Sequence, residues 1–331
     1  MVIFAKMKQT YDTLIIGAGV AGLAAAMYAG RLNLKTIVLG ATSSSELPIG
    51  GVITLTDTVE NYPGFKSVTG QELAEKLEEH AKDYDIEIKE EKAVDIKREE
   101  KMNCFLVRTE KTKYHTKTII FATGAKWREL SMKGSGEFKS KGVHYCALCD
   151  GALYKDKILA VVGGSDSAAK EAILLAQNAK KVYIIYRGEK IRSEPINAKL
   201  IEKNRKIEII TNTNITEILG DKMVNKVTLD KEYNGSKNLE VNGVFGAIGH
   251  IPLSDSAVKL GVKINKKKEI MIDRESKTNV KGVFAAGDVV DSGFKQAITG
   301  VAEGVVAAHS AYTYINENNS VCFFDDKEYK K

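Results

Sequence analysis

The sequence predicts an α/β fold of two Rossmann-like units of the three-layer ββα type, the first discontinuous, and three observations carry that expectation. Asp12 to Ile16 reads as a buried strand running straight into Gly17-Ala-Gly19-Val-Ala-Gly22, followed by a helical stretch, Leu23 to Arg31, and a second strand, Lys35 to Leu39. The same order recurs at Lys157 to Val162, Gly163-Gly-Ser165-Asp-Ser-Ala168, Ala168 to Asn178 and Lys181 to Tyr186. Each run closes on an apolar strand ending in glycine, Thr118 to Gly124 and Val244 to Gly249, so the chain holds an internal repeat of architecture. A length of 331 residues suits two domains. The order of the pieces assigns residues 1–125 with 251–331 to one domain and 126–250 to the other.

A glycine turn between a strand and a helix lets backbone N–H groups approach a pyrophosphate at the helix N-terminus. Gly17, Gly19 and Gly22 have that spacing and context, so a dinucleotide site is expected there. Gly40 stands where an acid for ribose hydroxyls is common, and Glu46 is the expected substitute. The second turn, Gly163, Gly164, Ser165, Asp166 and Ser167, carries serine in place of the middle glycine. Arg187 and Arg192 follow its second strand, a choice that suits a ribose 2′-phosphate, hence NADP over NAD.

Between these landmarks, Gly50 and Gly51 open a threonine-rich segment, expected to be extended, that ends at the turn Asn61-Tyr-Pro-Gly64. Thr69 and Glu72 form a capping box for a helix from Gly70 to Lys82. Ile86 to Thr118 reads as a small antiparallel meander, with Cys104 as a buried small hydrophobe. Gly282 to Asp288 is a buried strand ending on an acid able to accept from a ribitol or ribose hydroxyl, and Gly293 to Ala297 starts an apolar helix running to about Tyr314. Residues 317–331 form a polar tail in which Cys322 is expected to be an incidental thiol.

The chemistry concentrates in Cys146-Ala-Leu-Cys149-Asp150. Two cysteines so spaced can close a small disulfide ring, and the adjoining carboxyl can carry the proton that each thiol–disulfide step moves. Zinc would need two further ligands, and Cys104 and Cys322 are solitary and remote in sequence. His144 is a rival proton carrier, with a structural role as the plainer reading. Four cysteines are too few for a secreted disulfide framework, so a reducing cytoplasm is expected. Neither a membrane-length apolar run nor a signal core in Met1 to Thr10 is present. The net charge of +6 is dispersed, without the basic blocks that nucleic acid requires.

With these residues in view, the chain resembles the low-molecular-weight thioredoxin reductases, FAD-dependent pyridine nucleotide-disulfide oxidoreductases, over about residues 11–316. The marks are Gly17-Ala-Gly19-Val-Ala-Gly22, Val59-Glu-Asn-Tyr-Pro-Gly64, Ala122-Thr-Gly124, Cys146 to Asp150, Ala247-Ile-Gly-His250, Phe284 to Asp288 and Lys295-Gln-Ala297. The resemblance implies FAD held by Gly17, Gly19, Gly22, Gly51, Asn61, Thr123, Gly124, Gly287, Asp288, Lys295, Gln296 and Ala297. It implies NADPH on Gly163 to Ser167, Arg187, Arg192 and Ile248, a homodimer, and thioredoxin or a thioredoxin-like protein as substrate. By position Cys149 faces the flavin, Cys146 attacks the partner, and Asp150 gives the proton.

Departures cluster in the middle domain. Tyr186-Arg187-Gly188 stands where NADPH users carry His-Arg-Arg, which with Ser165 opens the way to NADH, ferredoxin or a deazaflavin as donor. Val52 also replaces a polar residue common after the Gly-Gly pair. Nicotinamide and disulfide compete for one flavin face, so rotation of the middle domain is expected about crossings near Ala125 to Lys126 and Gly249 to Ile251. The rival readings are a ferredoxin–NADP reductase, which has no use for the cysteine pair, a flavoprotein serving a peroxiredoxin system, and a non-catalytic redox sensor.

Overall fold

A computed structural model describes residues 10–40, 47–100, 103–318 and 322. The chain divides into two compact units, residues 1–125 with 252–331, and 126–251. In chain order the first unit opens with β1 (Thr10–Ile16), α1 (Val20–Arg31), β2 (Thr36–Leu39), α2 (Gly70–Lys82), β3 (Ile86–Lys89), β4 (Ala93–Glu99), β5 (Cys104–Thr109) and β6 (Lys113–Phe121). A first crossing, β7 (Ala125–Trp127), leads to β8 (Val143–His144), α3 (Ala147–Asp150), β9 (Ile158–Val162), α4 (Asp166–Asn178), β10 (Lys181–Ile185), α5 (Pro195–Lys203) and β11 (Ile207–Ile210). Then come β12 (Ile215–Gly220), β13 (Val224–Tyr233), β14 (Ser236–Glu240), β15 (Gly243–Gly246) and the return crossing β16 (His250–Pro252). The first unit is completed by α6 (Asp255–Lys259), β17 (Val283–Ala285) and α7 (Ala297–Glu317).

In the first unit β3, β2, β1, β6 and β17 run parallel, and β6 continues into the antiparallel β5 and β4. Because side chains alternate along a strand, the two faces separate cleanly. Ile15, Val38 and Ile120 pack on the alanine-rich faces of α1 and α7, whereas Leu14, Ile16, Ile37, Leu39 and Phe121 meet Ile96, Phe105 and Val107 of the β4–β5 layer. The expected meander is therefore shorter: β3 pairs parallel with β2 and belongs to the main sheet.

The second unit repeats the plan. Its sheet is wholly parallel in the order β11-β10-β9-β15-β8. Leu159, Val161, Val182, Ile184 and Phe245 face α4 and α5, while Ala160, Ile185 and Val244 face the antiparallel layer β12-β13-β14. This is the three-layer α/β fold the repeat predicts.

Two local expectations fail. Residues 51–55 form a 3-10 turn instead of an extended segment, since Gly50 and Gly51 take positive φ (101° and 72°) and the Thr54 hydroxyl donates to the Gly51 carbonyl at 2.8 Å. Cys104 and Cys322 are bonded to each other, with Cα atoms 5.4 Å apart, and both are buried, so neither the lone-hydrophobe nor the incidental-thiol reading stands. The bond is hidden from the sequence because the tail around Cys322 is polar and its partner lies 218 residues away. Glu46, residues 319–321 and residues 323–331 lie outside the described residues. No helix among the described residues is long and apolar enough to cross a membrane.

Candidate active site

The first unit holds a cavity of about 870 Å³, within the range of small-molecule sites. Gly17 sits at its head with φ 114°, and a Cβ there would run into the Ala122 carbonyl, which is why the strand can turn so tightly into α1. Gly19 is the N-cap of α1 and no side chain caps the helix, so its first N–H groups are left for an anion. Gly22 lies off the lining; its Cβ would strike the Gly17 carbonyl, so its work is to let helix and turn close on each other.

Gly51, Thr123, Gly124, Gly287, Asp288, Lys295, Gln296 and Ala297 all line this cavity. Asn61 does not, but its amide donates to Gln296 Oε1 at 3.0 Å and so orients a lining residue. Lys295 is fully engaged by protein acceptors, the Asp288 and Val290 carbonyls at 2.8 and 2.6 Å and Glu269 Oε1 at 2.8 Å. Its ammonium thus braces the turn that presents Asp288. Burial works against the Glu269 charge, but Lys295 and Asn265 together hold its carboxyl below the usual range. Glu303 adds a second brace, accepting Gly287 N–H at 2.8 Å and the Ser292 hydroxyl. Neither glutamate is visible to motif reading, since the fold brings each to its partners in the site from well away in sequence.

The residues fit FAD: a capless helix start beneath a glycine turn for the pyrophosphate, a carboxylate for sugar or ribitol hydroxyls, and a cavity of the right order of size. Among the described residues no cluster could hold a metal ion.

In the second unit Cys146 and Cys149 are joined as a disulfide, with Cα atoms 5.4 Å apart. Cys146 is the N-cap of α3 and its Sγ accepts the Cys149 N–H at 3.1 Å, while Asp150 N–H closes the turn on the Cys146 carbonyl at 3.2 Å. Cys146 is buried and Cys149 exposed. Glu171 of α4 reaches across to accept Ala147 N–H at 2.6 Å. Burial pushes its carboxyl up to about 7, against that hydrogen bond, and the neighbouring Asp150 adds to the rise. Sequence reading missed Glu171, because only the fold brings α4 beneath α3.

The second glycine turn is more crowded. Ser165 caps α4 without a side-chain bond, and Asp166 is occupied, accepting Glu194 N–H and the Asn197 amide at 2.8 Å each and pairing with Lys170 at 3.0 Å. Arg192 N–H donates to the Gly164 carbonyl at 2.7 Å, which ties the segment after β10 to the turn. The Tyr186 ring lies against both Gly164 and Gly188, where a Cβ would collide with it. Gly163 takes φ 154° at the turn, Ser167 lies in the first turn of α4, and Arg187, Arg192 and Ile248 are exposed.

These features have counterparts in known proteins. The family described as pyridine nucleotide-disulphide oxidoreductase matches residues 11–304. The chain belongs to this family. Within it, a thioredoxin reductase of Listeria innocua is 38% identical over 316 residues, covering 95% of this chain and 96% of its own. The Lactococcus lactis thioredoxin reductase in the FR conformation superimposes with a TM-score of 0.87 at 35% identity, covering 93% of this chain and 99% of its own. The T. acidophilum thioredoxin reductase superimposes with a TM-score of 0.85 at 36% identity, covering 92% of this chain and 99% of its own.

Proposed function

We infer that this chain is an FAD-dependent thioredoxin-disulfide reductase, and that the Cys146–Cys149 disulfide beside Asp150 carries the reaction. FAD belongs in the cavity of residues 1–125 and 252–331, and the pyridine nucleotide on residues 126–251. When bound, FAD supplies the two electrons that open the disulfide, having received them from the donor.

The chain's own groups then handle sulfur and proton. Cys146 is the favoured thiolate, since its Sγ accepts the Cys149 N–H. As Cys146 Sγ bonds to a sulfur of the partner's disulfide, that S–S bond breaks and the Cys146 proton passes through Asp150 to the departing sulfur. Cys149 then attacks Cys146 Sγ, restores the ring, and releases the second partner sulfur with the Cys149 proton. Two electrons and two protons leave with the partner. Because Cys146 is buried as found, partner attack requires it to be uncovered. Rotation at the crossings belongs to this proposal, and Gly124 and Gly249 there hold positive φ (64° and 97°).

A cytoplasmic homodimer is part of the same reading, as the resemblance implies. It binds neither membrane nor nucleic acid. A second reading of the donor, NADH or a non-nucleotide reductant in place of NADPH, is favoured by the Tyr186 ring against Gly164 and by Gly188 where the resemblance leads one to expect arginine. The test is steady-state reduction of a thioredoxin disulfide with NADPH, NADH and reduced ferredoxin in parallel. Turnover with one of them is expected; no multiple turnover with any would leave a redox sensor.

A further inference from the structure

The proton handling at the disulfide does not rest on Asp150 alone. His144, the last residue of β8, is buried, with 8% of its surface exposed. Its Nδ1 lies 3.0 Å from Asp150 Oδ2, and its Nε2 lies 2.8 Å from the Tyr154 hydroxyl. The imidazole is also sandwiched by rings, stacked on Phe245 at 5.3 Å and edge-on to Tyr154 at 5.4 Å. A group clamped on two polar atoms and one aromatic face has a single orientation.

We propose that His144 is a positioning residue for the proton-carrying carboxyl of Asp150, fixing which oxygen carries the proton. The inference rests on the disulfide-reductase reading given above. An ionised carboxylate can only accept, so His144 places its proton on Nδ1 and donates to Oδ2. Nε2 is then an acceptor, and Tyr154 donates to it. Burial, with the Asp150 charge as the lesser cause, raises the Tyr154 hydroxyl, so it keeps its proton. With Oδ2 held by His144, a proton taken from a cysteine sits on Oδ1, the oxygen left for the sulfurs. The bookkeeping of the exchange is unchanged: each proton leaves a cysteine, rests on Oδ1, and goes to the departing partner sulfur.

The other groups around this dyad are few. From α4 comes Glu171, whose carboxyl is pushed up by burial and, to a lesser extent, by the Asp150 charge, while Lys170 of that helix is paired with Asp166. From α3 come the two sulfurs, from the turn after it Tyr154, and from β15 only the ring of Phe245. Among these described neighbours His144 alone donates to Asp150.

The decisive experiment compares wild type, His144→Leu and His144→Asn. The protein is reduced with dithiothreitol, and alkylation of Cys146 and Cys149 by iodoacetamide is followed by peptide mass spectrometry across pH. Iodoacetamide reacts with the thiolate, whose proton Asp150 Oδ1 takes up, so with that carboxyl no longer held in place the acid limb should move up by about one unit in His144→Leu. The Asn amide can still donate and should bring the limb back. With thioredoxin, reoxidation should slow about 10- to 100-fold in His144→Leu, recover most of that in His144→Asn, and flavin reduction by the donor should be unaffected. Tyr154→Phe, which removes only the Nε2 anchor, should move the limb the same way by less, and serves if the leucine variant fails to fold. An acid limb that stays put in both His144→Leu and Tyr154→Phe, or equal losses in the leucine and asparagine variants, overturns the inference. Alkylation needs neither donor nor partner, so a limb that moves in a protein inactive with thioredoxin upholds the inference and sinks the function.

Discussion

Glu171→Gln should stabilise the protein at alkaline pH and leave it nearly unchanged in acid. Glu171 accepts Ala147 N–H beneath the redox turn, and its carboxyl sits at about 7 in the folded protein against an ordinary value of 4.5. A carboxyl raised on folding costs nothing below its unfolded pKa, where both states hold the proton. As pH climbs from about 4.5 to 7 the unfolded chain ionises first, so stability is lost across that window, and above it the loss is complete. A displacement of about 2.5 units corresponds to about 3 kcal/mol. Glutamine keeps the acceptor for Ala147 and never charges, so the variant escapes the penalty. The assay is urea unfolding at pH 5 and pH 8, read by the single tryptophan, Trp127, which lies in the same unit as Glu171. A gain of about 3 kcal/mol at pH 8 with less than about 1 at pH 5 is expected. An equal change at both values, or a loss at pH 8, would show that the carboxyl is either ordinary or needed in its charged form.

Three further outcomes follow from the same geometry. Cys149→Ser should leave bound flavin reducible by the donor yet abolish reduction of a partner disulfide; residual partner turnover would contradict the assigned chemistry. Gly22→Ala drives a Cβ into the Gly17 carbonyl, so the purified variant should emerge with little FAD and a lower melting temperature, an overpacking cost of about 1–3 kcal/mol. Denatured without reductant, the wild type should show no free thiol and Cys322→Ser one, and closure of so long a loop should make the variant less stable by up to about 5 kcal/mol.

Much of the architecture was legible because it is written in local order. Strand, glycine turn, helix and strand occur twice in succession, and the alternation of Leu14, Ile15 and Ile16 already assigns side chains to two faces. The capping box at Thr69 and Glu72 forms as read, and the helix spans Gly70–Lys82. What escaped depends on contacts between distant segments. Nothing near Glu171, Glu269 or Glu303 marks them as braces, and only the folded sheet brings α4 under α3. His144 was visible as a candidate, but its grip on Asp150 and Tyr154 needs the ring orientation that Phe245 imposes. The Cys104–Cys322 bond was hidden for a similar reason, since its two ends lie in an unremarkable strand and a polar tail.

The most direct test of the central claim, that the sulfurs of residues 146 and 149 exchange electrons with bound FAD, is an anaerobic reductive titration of the FAD-loaded protein. Wild type should take up two electrons for the ring and two more for the disulfide before the flavin is fully bleached, and Cys149→Ser only the first two. Identical uptake by the two proteins would mean that disulfide and flavin are not in electronic exchange, and the account would fall.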